Sequence, residues 1–150
     1  MATIRVLERK DKKEILEMMR IFYDSPAVFH TSSDEVLERD VEDCLGELPY
    51  VEGFVFEDGE QLAGYAMISK GYTTEYGGLC IWIEDIFIKP AYRRQGLASA
   101  LFGYLEARYP DAVRFKLEVE KENEGAIETY RKCGYGVSPY FEMTKEMGEG

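Results

Sequence analysis

The sequence predicts a single α+β domain built around a mixed sheet, and three observations carry that expectation. Strand-like and helix-like segments come in mixed runs, in the order β α α β β β α β α β. The apolar period switches along the chain between two, the mark of a half-buried strand, and 3.6, the mark of a helix face. Residues 79–120 read as strand, turn, helix and strand, a crossover whose two strands run parallel and are joined right-handedly. A chain of 150 residues suits one domain over 1–150 that buries about two-thirds of its unfolded surface.

Each element has its own warrant. Residues 3–7, TIRVL, alternate apolar and polar side chains, as a short strand does. Asp11 and Glu14 have the spacing of a capping box, and Ile15, Met18, Met19 and Phe22 then fall on one helical stripe that Pro26 ends. Ser32 and Glu35 repeat the box before Val36, Leu37, Val41, Cys44 and Leu45, with Gly46 as the stop. YVEGFVFED and QLAGYAMIS read as two strands around an Asp58-Gly59 turn, followed by the loop KGYTTEYGG. Then come a strand over 79–88, a turn over 89–95 and a helix from 96 to about 109 that Pro110 closes. VRFKLEVE is a strand with Val113, Phe115, Leu117 and Val119 on one face. NEGAIETYRKCGY is a short helix stopped by Gly134, and PYFEMTKEM is the last strand.

Composition excludes several functions. The net charge is −11, which repels phosphate backbones and disfavours nucleic acid as a partner. The same charge attracts a cationic substrate, or simply keeps the chain soluble. No apolar run approaches the ~20 residues of a membrane span, and the start, MATIRVLERKDKKE, lacks the apolar core of a secretory signal. The expected location is the cytoplasm, with no membrane partner. Three widely spaced cysteines, Cys44, Cys80 and Cys133, fit reduced thiols. With one histidine, His30, and no close ligand pair, no metal site is expected.

The chemistry concentrates in IEDIFIKPAYRRQGLASAL, residues 83–101. The first N–H groups of a helix lack intrahelical partners and lie at the positive end of its dipole. Gly96 at the helix entry lets a phosphate approach the backbone, Ala98 adds little bulk, and Arg93 and Arg94 supply cations. RRQGLA is therefore a candidate diphosphate cradle, although an ordinary surface turn would look similar. The dinucleotide fingerprint G-x-G-x-x-G and the P-loop G-K-[ST] are both absent.

Arg93-Arg94-Gln95-Gly96-Leu97-Ala98 fits the pattern [Q/R]-x-x-G-x-[G/A], preceded by IFIKP and followed later by NEGAIETYRKCGY. With this order of elements, the chain resembles the GNAT superfamily of N-acetyltransferases over essentially its whole length. The resemblance implies a three-layer acyl-CoA N-acyltransferase fold, with a mostly antiparallel central sheet and helices on both faces. It implies acetyl-CoA as co-substrate and no metal. Ile86, Phe87 and Ile88 would offer backbone to the pantetheine arm, and Arg94, Gln95, Gly96, Leu97, Ala98 and Ser99 would cradle the pyrophosphate. Asn123 and Ala126 belong to the later motif, with Asn123 hydrogen-bonding the pantetheine region. Arg93 and Lys132 would meet the outer phosphates. Tyr130 would protonate the departing thiolate.

WIEDIFI is also similar to the LEDLYV-type stretch of diamine and polyamine acetyltransferases. That similarity implies Glu84 as the group that deprotonates the amine, with Glu84 and Asp85 binding it. A carboxylate can take the proton that keeps most amines unreactive at neutral pH. Strict alternation puts Glu84 and Asp85 on opposite faces unless a bulge intervenes. Tyr23, Asp24 and His30 between the first helices, and Tyr72, Glu75 and Tyr76 before the acid strand, suit a cationic amine, a dimer interface or plain surface. Structural readings stand beside these: Tyr130 as a core aromatic, either acid as a cap or arginine partner, the cysteines as buried fillers. The departure from the family pattern is Arg94, which holds a position that glycine would fill easily.

The expected function is acetyl transfer to a primary amine of a small, polyamine-like or diamine-like cation, by a homodimer. Two alternatives remain: a protein N-terminal or lysine acetyltransferase, and a non-catalytic acyl-CoA-binding regulatory module on the same fold.

Overall fold

Alternation along the central strands builds two cores, one on each face of the sheet. In the computed structural model, which describes residues 2–148, Val55, Tyr65, Met67 and Phe87 face one way and Phe54, Phe56, Ala66 and Ile68 the other. Helices α1 (Lys12–Tyr23) and α2 (Asp34–Leu45) cover the first face with Ile15, Met18, Met19, Leu37 and Val41. Helix α3 (Leu97–Arg108) covers the second with Leu97, Leu101, Phe102 and Leu105, and α4 (Glu124–Lys132) adds Tyr130 beside it.

The sheet runs β1 (Thr3–Val6), β2 (Val51–Asp58), β3 (Gln61–Thr73), β4 (Gly78–Ile88), β5 (Ala112–Leu117) in spatial as in chain order. The first three pairings are antiparallel and β4–β5 is parallel, as the crossover through α3 requires. This is the three-layer, mixed and mostly antiparallel arrangement expected.

Five local expectations change, the first being that β5 ends at Leu117, so Glu118, Val119 and Glu120 fall outside the strand read over 113–120. Asp11 does not cap α1 with its side chain. Arg5 holds its carboxylate at 2.8 Å, the Glu8 N–H donates to it at 2.8 Å, and the box forms one turn earlier on the 3-10 turn Arg9–Asp11. The cap of α2 is Ser33 rather than Ser32, its hydroxyl accepting from the Val36 N–H at 3.3 Å. Strand β3 continues to Thr73, because Lys70, Gly71, Tyr72 and Thr73 pair with Ile81, Cys80, Leu79 and Gly78. The loop read from residues 70–78 thus shrinks to 74–77. The last strand over PYFEMTKEM does not form: β5 pairs only with β4, and Phe141 and Met143 are fully or almost fully exposed. An apolar alternation alone makes no strand without a ladder to join.

Candidate active site

The acid pair lies where β4 departs from regular pairing. Met67 opposes Asp85 and Ile68 opposes Ile83, so Glu84 has no partner on β3 and forms a bulge. The bulge resolves the problem of alternation. Ile81 and Ile83 pack into the α3 core, yet after Glu84 it is Ile86 and Ile88 that do so, while Phe87 joins the α1–α2 core. Asp85 therefore points toward α1. Pairing with β5 also ends at Ile83. From Glu84 onward, β4 has a ladder partner only on β3, which leaves one edge of the Ile86, Phe87 and Ile88 backbone unladdered.

Two phenols converge on Asp85, which is 2% exposed. Tyr23, the last residue of α1, donates to Oδ1 at 2.7 Å, and Tyr65 on β3 donates to Oδ2 at 2.9 Å. Burial pushes the Asp85 carboxyl up to about 6; the two phenols pull it down, and the charges of Asp40 and Glu84 raise it. Asp40 on α2 is also pushed up to about 6, by burial first and then by Asp43 and Glu84. Burial beside these acids raises both phenols and lifts the Cys44 thiol to about 12, so Cys44 stays an uncharged filler. Glu84 is exposed and accepts a hydrogen bond from the Ser69 hydroxyl at 2.8 Å.

The cradle is made by backbone conformation. Arg94 has φ 63° and Gly96, the N-cap of α3, has φ 78°, both left-handed. Among the described residues nothing lies within 4 Å of where a Gly96 side chain would begin, so the approach to the first N–H groups of α3 is open. Arg93 turns back: its Nε donates to the Ile88 carbonyl at 2.7 Å. Gln95 donates to the Ala91 carbonyl at 3.4 Å, Leu97 is buried, and the Ser99 hydroxyl lies 3.2 Å from the Cys133 thiol. Asn123 caps α4, its Oδ1 accepting from the Ala126 N–H at 3.2 Å, and Lys132 is exposed near Glu128. The open backbone and the half-laddered strand are what a diphosphate and an amide-bearing arm require, so these residues fit acetyl-CoA.

One cavity of about 2000 Å³ lies beside the acid pair, lined among others by Tyr23, His30, Tyr76, Glu84 and Tyr130; the residues of the candidate cradle are not among its lining. Tyr130 packs edge-on against Phe102 at 5.7 Å, and burial raises its hydroxyl, which keeps the proton in place. Glu75 accepts from the Tyr140 hydroxyl at 2.6 Å, and Tyr72 is exposed on the neighbouring strand end. The loop carrying His30 is fastened by Arg20, which donates to the Ser32 carbonyl at 2.7 Å. The structure thus brings Tyr23, Glu84 and Tyr130 to one space with Asp85 directly behind, while Ile86 to Ile88, Arg93 to Ser99, Asn123, Ala126 and Lys132 are not among the residues lining it. Sequence reasoning missed Tyr65 and Asp40. A tyrosine inside a run as apolar as QLAGYAMIS was the available signal, since a buried phenol needs a polar partner.

Comparison with known proteins bears on the family and the fold. The sequence profile of the acetyltransferase (GNAT) family matches residues 15–135. The chain is 34% identical to thialysine N-epsilon-acetyltransferase of Caenorhabditis elegans over 103 residues, covering 67% of this chain and 61% of that relative. It is 30% identical to the Sus scrofa protein of that name over 148 residues, 89% of this chain and 85% of the relative. Among solved structures, a possible acetyltransferase from Clostridium difficile 630 superposes with a TM-score of 0.82 at 21% identity, covering 99% of each chain. AAC(6')-Iy in complex with a bisubstrate analog gives 0.80 at 14%, again over 99% of each. At these identities the solved structures speak to the fold.

Proposed function

Because the chain belongs to the acetyltransferase (GNAT) family and is an N-acetyltransferase with acetyl-CoA as donor, we propose that its acceptor is a primary amine of a small cation, such as a diamine or polyamine. The observation that supports this most is the shared cavity. Glu84 and Tyr23 stand on its wall with the charge of Asp85 and Asp40 behind them, and Tyr130 faces the same space. An ammonium group entering there meets negative charge at close range in a partly desolvated setting. Similarity to relatives named for thialysine acetylation supports an amine-bearing small molecule.

Acetyl-CoA supplies the activated acetyl group. The unladdered edge at Ile86, Phe87 and Ile88 and the N–H groups at Gly96, Leu97, Ala98 and Ser99 would hold it, as above. Two carboxylates at the bulge are available to the ammonium proton, Glu84 from the wall and Asp85 from behind. Tyr130 keeps its hydroxyl proton for a leaving thiolate. Holding amine and thioester in one cavity supplies much of the rate.

The test is release of coenzyme A thiol on mixing protein, acetyl-CoA and a panel of diamines, polyamines, aminoglycosides and thialysine. Release with at least one cation of the panel is expected. Silence across the panel while acetyl-CoA binds overturns the assignment, and release with lysine or N-terminal peptides alone makes the protein-acetyltransferase alternative the right one. The proposed homodimer draws support from the exposed Val137, Phe141 and Met143 of the C-terminal segment. Light scattering should give about twice 17.3 kDa, and a mass of one chain rejects it.

A further inference from the structure

The two phenols on Asp85 are not equivalent. Tyr65 lies within the sheet, fully buried, with its ring 6.2 Å from Phe87. Tyr23 ends α1, packs edge-on against Phe22 at 5.2 Å, and lines the cavity. Asp85 is not part of that lining. Its carboxylate is therefore linked to a residue of the cavity wall by the Tyr23 hydroxyl, while Tyr65 holds it from the interior. Glu84, by contrast, is already exposed and engaged by Ser69.

We propose that Tyr23 is a proton relay: the acceptor ammonium passes its proton to Tyr23 Oη as the phenol passes its own to Asp85 Oδ1, with Glu84 holding the ammonium in place. This rests on the amine-acetylation reading above and names the route of its first proton. The balance is simple. An ammonium and a carboxylate become an amine and a carboxylic acid, and the phenol ends as it began, with one O–H bond broken and one formed. No tyrosinate accumulates, which suits a hydroxyl whose ionisation is opposed by burial and by Asp85 itself. The charge pair is neutralised, so the buried carboxylate loses its desolvation cost as it takes the proton. Tyr65 is a positioning residue: its hydrogen bond aims the second oxygen inward and leaves Oδ1 to Tyr23. The groups facing Asp85 are Tyr23 from α1, Asp40 and Cys44 from α2, Tyr65 from β3 and Glu84 from β4. Among these, the acids make Asp85 a stronger base than an ordinary carboxylate, and the phenols keep it ionised near neutral pH.

The experiment pairs two readouts on Tyr23→Phe, Tyr65→Phe, Glu84→Gln and the wild type. One is the pH profile of kcat/KM with an acceptor from the panel. The other is the carbon-13 NMR titration of the Asp85 carboxyl in the free protein, with Asp85→Asn to assign the signal. The acidic limb of the wild-type profile should coincide with the Asp85 titration. Removing the Tyr65 donor should move limb and titration together to higher pH. Glu84→Gln removes a like charge, so it should raise KM and move both to lower pH. Tyr23→Phe should lower kcat at least tenfold at every pH while raising the Asp85 titration. The relay is overturned if Tyr23→Phe retains half of the wild-type kcat, if the limb vanishes in Glu84→Gln, or if limb and titration move separately. A panel that stays silent overturns the acceptor instead. The NMR arm then stands alone, and a titration unmoved by loss of either phenol ends the relay independently.

Discussion

The candidate cradle at the start of α3 and the acid-phenol cluster beneath β4 are built from opposite materials. The cradle is backbone: two left-handed residues, Arg94 and Gly96, open the N-terminus of a helix toward an anion. The pocket is side chain: α1, α2, β3 and β4 contribute Tyr23, Asp40, Tyr65 and Asp85 to a buried cluster around one carboxylate. A backbone site is set by a few consecutive residues and tolerates side-chain exchange where the dihedral angles survive. A side-chain site depends on packing across the whole α1–α2 face, and its charge state follows from burial.

That contrast can be broken in four places, in falling order of effect. Tyr130→Phe removes a proton without disturbing the Phe102 contact, so kcat should fall about a hundredfold with acetyl-CoA affinity nearly constant. Equal activity would strip Tyr130 of its acid role. Gly96→Val forces a β-branched residue into φ 78° and fills the open approach. A backbone penalty of roughly 1–3 kcal/mol should weaken acetyl-CoA binding by about tenfold or more, as isothermal calorimetry would read.

The third prediction concerns the pocket. The folded-state values of Asp85 and Asp40, each about 6, lie above the usual carboxylate range. These two carboxyls therefore hold more protons in the folded chain than in the unfolded one between about pH 4 and 6. Their contribution to stability is greatest on the acidic side of that window and declines as pH rises through it, by on the order of 3 kcal/mol for the buried Asp85. Denaturant titrations of wild type and Asp85→Asn at pH 5 and 8 should show the slope flatten in the variant. An unchanged slope would remove Asp85 as its source. The smallest effect is expected at Arg94→Gly, which relieves a non-glycine residue at φ 63°. Thermal unfolding should show a gain of about 0.5–1 kcal/mol, with acetyl-CoA affinity changed less than about threefold if backbone N–H groups carry the binding.

The same contrast explains what was legible in the sequence. The candidate cradle stands out in the sequence because Arg93 to Ala98 are contiguous, and the backbone conformation expected at Arg94 is present as a positive φ. The order of helices and of the five strands followed from periodicity and turn residues. The caps of α1 and α2 slipped because Asp11 is claimed by Arg5, a tertiary partner with no local signature, and because Ser32 and Ser33 are equivalent to a spacing rule. The overrun of β3 through a glycine- and threonine-rich stretch came from pairing with β4, which outweighs local propensity. The pocket was half legible: the adjacent acids and Tyr23 announced themselves, but Tyr65 gained meaning only when β3 and β4 were set side by side. The segment after α4 was misread as a strand because its alternation had no ladder to join within this chain.

The bulge at Glu84 has a further consequence, in the history of such a strand. Skipping that residue, Ile81, Ile83, Ile86 and Ile88 keep their places in one core and Phe87 in the other. Glu84 is thus an insertion in an otherwise regular strand, a residue with no packing duty, placed on the cavity wall. Evolution can rewrite such a position without renegotiating the interior, so acceptor preference can drift there while the fold and the cradle stay intact.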